Sequence, residues 1–316
     1  MPQTFKFLFH ITATLTCLFV LFALPVKAQA NNTQTKKTGD IVVTIKPLYS
    51  LVAQLSEGIT QPVLLMKQMP SAHHYNMRPS DRRLLANAGV IIWIGPQMES
   101  YLDKTIRQQD AMIISAMQAD GLKLLERRIK NDDQHSAEHS AHDHHGHFDP
   151  HIWLSAHNAI AISRHITGKL ISHDPENADR YKKNLQQVSD KISRLAAEIR
   201  ASLKNRQQPF ITYHDAFQYF EKENNLRYID SINFNEEAGT SLKHLRHIKA
   251  EIKQKQIQCL LYQPPEPDII KTLTADSTIK AVALDPLGLR VKNDENAWFE
   301  IMQDIAESFK RCLSNG

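Results

Sequence analysis

Polar and apolar positions follow two alternating patterns along most of this chain. Short apolar runs at Ile41–Ile45, Val63–Met66, Val90–Ile94 and Met112–Ile114 read as strands, the first of them buried. Between them, apolar residues recur three and four apart. Leu48, Leu51, Val52 and Leu55, after Pro47, share one helical face, and Pro79-Ser80-Asp81 opens a helix with Leu84 and Leu85 on one face. A third helix is expected near 98–108. Strands alternating with helices predict βαβ units and a parallel sheet.

Residues 126–148 interrupt this rhythm. They are charged and histidine-rich, and too poor in apolar groups to bury a core, so a mobile loop is expected there. A helix follows over 156–172. Beyond Asp174-Pro175, the residues Tyr181, Leu185, Val188, Ile192, Leu195, Ile199 and Leu203 form one apolar stripe. The stripe predicts a helix of about 29 residues, roughly 43 Å long. Its alternatives are a coiled-coil arm or a strut between two lobes.

The α/β rhythm then resumes. Phe210–Tyr213, Arg227–Ile232, Cys259–Tyr262 and Ala281–Leu284 read as strands. Helices are expected from Phe217, near 241–255, from Pro267, and over Trp298–Cys312. The two halves share an alternation but no repeated sequence. The expected organisation is an N-terminal lobe over 41–173, a linking helix over 174–205 and a C-terminal lobe over 206–316.

The N-terminus belongs to a different class of sequence. Lys6 precedes a mostly apolar run from Phe7 to Leu24, and Ala28-Gln29-Ala30 fits a cleavage site. Residues 1–30 therefore read as a secretory signal peptide rather than a membrane anchor. Cys17 lacks a lipobox leucine at the right offset, so no lipid anchor is expected. Residues 31–40 form a polar lead-in. Loss of Lys6 and Lys27 with the signal lowers the net charge from +4 to about +2. No basic stripe interleaved with aromatics points to nucleic acid, and no later segment is apolar enough to span a membrane. Two cysteines remain, Cys259 and Cys312. In an exported chain they read as one disulfide, with two separate buried thiols as the alternative.

The chemistry concentrates in histidine. His135, His139, His142, His144, His145 and His147 crowd the polar loop, interspersed with acids, and suit loose metal binding. His73 follows a strand, His151 stands where the loop gives way to apolar sequence, and His214 ends a strand. Ligands of open α/β sheets bind beyond the carboxyl ends of strands, so two facing lobes would gather such residues in a cleft. On spacing alone this signal is weak. Trp93, Trp153 and Tyr219 read as core or cleft wall, Glu236 and Glu237 as solvated acids, and His157, His165 and His173 as surface.

Five ordered motifs sharpen the reading: Thr44–Val52, Ser71–Asp81, Asp149–Ser155, Tyr213–Glu221 and Leu284–Gly288. With them the chain resembles, from about residue 41 to 313, the metal-binding solute-binding proteins of bacterial ABC importers, most of all the zinc branch, the ZnuA type. The resemblance implies an α/β fold of two Rossmann-like lobes with parallel sheets. A long rigid helix joins them, and a divalent metal sits in the cleft. By its motifs His73, His151 and His214 correspond to the three histidine ligands, and Asp285 to the completing carboxylate. The manganese branch has Glu at the position of His214. The family's cysteine pair supports Cys259–Cys312. Where some zinc-branch members carry an acid before the first histidine, this chain has Ala72. The fourth ligand is thus Asp285, a water, or His74.

These implications yield the functional expectation. The chain is a periplasmic, monomeric solute-binding protein that captures Zn2+ and delivers it to an ABC-transporter membrane permease, and is not an enzyme. The alternatives are a secreted zinc-dependent hydrolase and a metal-dependent surface adhesin. Neither H-E-x-x-H, a nucleophile elbow nor a phosphate loop is present to favour an enzyme.

Overall fold

Two four-stranded sheets carry the fold, and every strand pairing in them is parallel. The computed structural model describes residues 39–69, 71–128, 146–234, 240–275 and 277–314. The expected signal peptide, five loop histidines (His135, His139, His142, His144 and His145), Glu236 and Glu237 lie outside the described residues.

In chain order the first half contains β1 (Ile41–Val43), α1 (Lys46–Leu55), β2 (Val63–Leu64), α2 (Pro79–Asn87), β3 (Val90–Trp93), α3 (Ser100–Arg107) and β4 (Met112–Ser115). After the loop come α4 (Ala156–His173) and α5 (Ala178–Leu203). The second half contains β5 (Phe210–His214), α6 (Gln218–Glu223), β6 (Tyr228–Asn233), α7 (Leu242–Gln254), β7 (Cys259–Tyr262), α8 (Asp268–Thr274), β8 (Lys280–Ala283) and α9 (Ala297–Cys312). The sheet orders are β2-β1-β3-β4 and β6-β5-β7-β8. The second sheet therefore repeats the topology of the first without repeating its sequence. The α/β class and the two-lobe plan are as the sequence implies.

The long stripe forms a helix of 26 residues, preceded by a separate 3-10 turn over Pro175–Asn177. The helix is shorter than the expected 29 because Asp174 organises its own turn: Asn177 Nδ2 donates to the Asp174 carboxylate at 2.8 Å. Val188, Ile192, Leu195, Ile199 and Leu203 are buried on α5. Asn184, a polar member of the same face, donates to the carbonyls of Leu55 and Glu57 at 2.9 and 3.0 Å. These bonds fasten α5 to the carboxyl end of α1.

Helix α1 departs from the amphipathic expectation, since all ten of its residues are buried. Its polar positions face the far end of the chain. Lys46 Nζ donates to the carbonyls of Gly288 and Val291, Ser50 Oγ to that of Glu295, and Gln54 Nε2 to that of Glu295. Buried polar groups persist only when paired, and here the pairing joins the two halves. One apolar core accordingly runs through both, from Val42 and Ile91 past Val188 and Ile192 to Phe210 and Phe309. The described residues form one compact unit.

Cys259 and Cys312 are disulfide-bonded with Cα atoms 5.2 Å apart, tying β7 to the end of α9. Among the described residues no helix is long and apolar enough to cross a membrane.

Candidate metal centre

Parallel strands deliver their carboxyl ends to one edge of each sheet, and one of the three singled-out histidines ends a strand there. His214 is the last residue of β5, held in the sheet opposite Asn233. His73 lies in the segment between β2 and α2. His151 caps the 3-10 turn Ile152–Leu154 that leads into α4.

One ring nitrogen from each of His73, His151 and His214 falls within 4.8 Å of the other two. His73 Nε2 and His151 Nε2 are 3.3 Å apart. A zinc tetrahedron with Zn–N bonds near 2.0–2.1 Å has ligand nitrogens about 3.4 Å apart, so this spacing suits two corners of one. The rings meet edge to face, with centroids 5.3, 5.7 and 5.3 Å apart and planes crossed by 67–74°. Crossed planes let three imidazoles aim at a common point without stacking. His151 and His214 are buried and His73 is half-buried, which leaves one side accessible.

Each buried histidine has a partner behind it. Asp149 Oδ1 accepts from His151 Nδ1 at 2.7 Å and from the His151 backbone N–H at 3.0 Å. Asp149 is itself fixed by backbone: its N–H donates to Leu125 O at 2.8 Å, and its carbonyl accepts from the Tyr219 hydroxyl at 2.7 Å. Burial pushes its carboxyl up to about 6, against the pull of the His151 N–H. His214 Nδ1 faces Gln263 Oε1 at 3.1 Å.

A buried ionic group flanks His214. Arg128 donates to Asp215 at 2.7 Å and to Glu221 at 2.5 Å, and its guanidinium lies 3.6 Å from the centre of the Tyr228 ring. Burial pushes Asp215 up to about 6 and Glu221 to about 7, with Arg128 opposing both shifts. For Arg128, burial pulls downward, but the two carboxylates outweigh it and the net shift is upward. Arg128 thus anchors the segment that enters the histidine-rich stretch onto the C-terminal half. The same root is braced where Glu126 pairs antiparallel with Phe148, and Arg127 N donates to His147 O at 3.1 Å.

Other candidates lie elsewhere. His147, the one loop histidine among the described residues, is exposed and contacts Glu126 at 3.0 Å. His74 is exposed. Neither it nor Asp285 belongs to the three-histidine group. Asp285 Oδ1 accepts from the N–H groups of Leu287 and Gly288, and Oδ2 from that of Leu289. It stabilises the turn whose carbonyls hold Lys46. Trp93, Trp153 and Tyr219 are buried, His157 is exposed, and His165 and His173 are half-exposed.

Sequence reasoning missed Asp149, Gln263 and Arg128. Asp149 had a visible signal, since an acid two residues before a ligand can fold back onto its ring. Gln263 and Arg128 had none, because their partners lie 49 to 93 residues away.

The model of the family described as zinc-uptake complex component A, periplasmic (ZnuA), matches residues 41–312. The chain is similar to the high-affinity zinc uptake system protein ZnuA of Brucella suis biovar 1, 32% identical over 311 residues, covering 87% of this chain and 91% of that one. It also resembles a crystal structure of ZnuA at a TM-score of 0.72 and 22% identity, over 87% of this chain and 99% of that one. A Zn(II)-bound AdcAII variant of Streptococcus pneumoniae superposes with a TM-score of 0.70 at 22% identity, with the same coverage. At these identities the solved structures speak to the fold.

Proposed function

Since the chain belongs to the periplasmic zinc-uptake component A family, we propose that it captures Zn2+ between His73, His151 and His214 and delivers it to an ABC importer. The observation that carries the reading is the convergence of three ring nitrogens within 4.8 Å of one another. An all-imidazole donor set suits zinc and disfavours the harder ions that need oxygen. Zinc is cargo here, so its site must open to release it, and the half-buried His73 gives that access.

Both Asp285 oxygens already accept backbone N–H groups, and Asp285 stands outside the three-histidine group. We therefore assign the fourth position to solvent. The role proposed is transport rather than catalysis, consistent with a family of uptake components. Export through a cleavable signal at 1–30, a periplasmic location, a membrane permease as partner, a monomeric state and loose zinc binding by the loop histidines complete the proposal.

Elemental analysis of protein purified without added metal, together with zinc titration against a competing chelator, tests it. One tightly held zinc per chain is the expected result. A protein that takes up no zinc, or prefers manganese in direct competition, overturns the reading.

A further inference from the structure

The two buried histidines are backed by chemically different groups. A carboxylate oxygen stands 2.7 Å behind His151 Nδ1, and an amide oxygen 3.1 Å behind His214 Nδ1. Both are acceptors, so both rings carry their proton on Nδ1 and offer Nε2 to the cleft. Both histidines are equally buried, each 5% exposed. The groups bonded to the two Nδ1 atoms differ in charge. A carboxylate draws the Nδ1 proton strongly, makes the imidazole a better donor and places a full negative charge near a bound dication. A neutral amide orients its ring without that charge.

We infer that Asp149 and Gln263 are positioning residues that grade the site, making His151 the firm ligand and His214 the ligand that lets go first. The inference rests on the proposed zinc capture and adds a direction to release. The zinc–His214 bond opens first, and the ion stays briefly with His73 and His151 on the N-terminal half. An incoming donor replaces His214 without zinc passing through a bare state. Gln263 directly follows β7, and Asp149 is tied to Leu125 and Tyr219, so each acceptor is held by backbone independently of the metal.

The test is zinc release from the full exported chain into a fluorescent chelator, followed by stopped flow. Q263E places a carboxylate behind His214 and is expected to slow release roughly tenfold. Q263M removes the acceptor and D149N removes the charge behind His151, and each is expected to speed release by roughly 10- to 100-fold. Cobalt substitution supplies a readout that general loosening would not share: Q263E keeps the four-coordinate visible spectrum of the wild type while its release slows. In a His214→Ala background, Q263E loses its effect on the residual binding. Release within twofold of wild type for both Q263E and Q263M overturns the inference, as does a Q263E effect that survives without His214. If D149N fails to fold, the two Gln263 variants decide alone. Failure of the zinc-capture reading looks different, because the wild type then takes up no zinc before any variant is compared.

Discussion

Trp298 Nε1 donates to the carbonyl of Trp153 at 2.9 Å, while Trp153 Nε1 donates to the carbonyl of Pro286 at 3.0 Å. Both indoles are buried. His151 lies two residues before Trp153, so this clasp fixes the segment of that proposed ligand against the last helix and the turn after β8. Trp298→Phe keeps most of the packing but leaves the Trp153 carbonyl without its donor. The expected cost is about 1–3 kcal/mol, read as a lower urea midpoint at unchanged slope. An unchanged midpoint would show that the clasp carries no weight.

Alanine at His73, His151 or His214 should weaken tight zinc binding by more than about 100-fold, beyond what outer partners usually contribute. Chelator competition measures this directly. His74→Ala should change it by less than about twofold, because His74 is exposed and outside the cluster.

Arg128→Met should destabilise by about 3–5 kcal/mol, since Asp215 and Glu221 would stay buried without their cation. The loss should shrink at pH 5. There both acids, already pushed up to about 6 and about 7 in the folded protein, hold protons and need no partner. Unfolding at pH 5 and pH 8 separates this from a simple packing defect, which would cost the same at both.

Glu99 gives a second pH signature. It is buried beneath β3, accepts from Ile94 and Gly95 N–H at 2.8 and 3.3 Å, and burial pushes its carboxyl from 4.5 up to about 7. The unfolded chain loses this proton near 4.5 and the folded chain near 7. Between those values the folded state binds more protons, so stability falls as pH rises across that window and levels off above it. Glu99→Gln removes the penalty. It should be near neutral at pH 4.5 and stabilising by up to about 3 kcal/mol at pH 8. A Tm difference that does not grow with pH would contradict this.

Reduction of Cys259–Cys312 frees a crosslink spanning 53 residues, which should cost roughly 4 kcal/mol in the chain-entropy model. Thermal unfolding with and without reductant measures it, and zinc affinity should persist while the protein stays folded.

Much of this was legible in the chain itself. Continuous apolar runs and period-3.6 stripes need only near neighbours, so Ile41–Val43, Val90–Trp93 and the α5 stripe could be placed from the sequence. The three histidines stood out because strand ends and a loop edge are local features, and because their motifs resemble a known family. The end of α5 was blurred because Asp174 and Pro175 make a turn whose geometry depends on Asn177 folding back.

What remained hidden depends on residues far apart. Periodicity assigned α1 a single buried face. It could not show that Lys46, Ser50 and Gln54 on the other faces would meet carbonyls more than 240 residues away. Nor could it show that both Asp285 oxygens would accept backbone N–H groups of the turn that follows it. Local pattern reports which residues seek burial, and it fixed strands, helices and candidate ligands. Only the docking of two sheets in three dimensions decides which polar groups stand behind those ligands, because hydrogen bonds act over about 3 Å and are blind to distance along the chain.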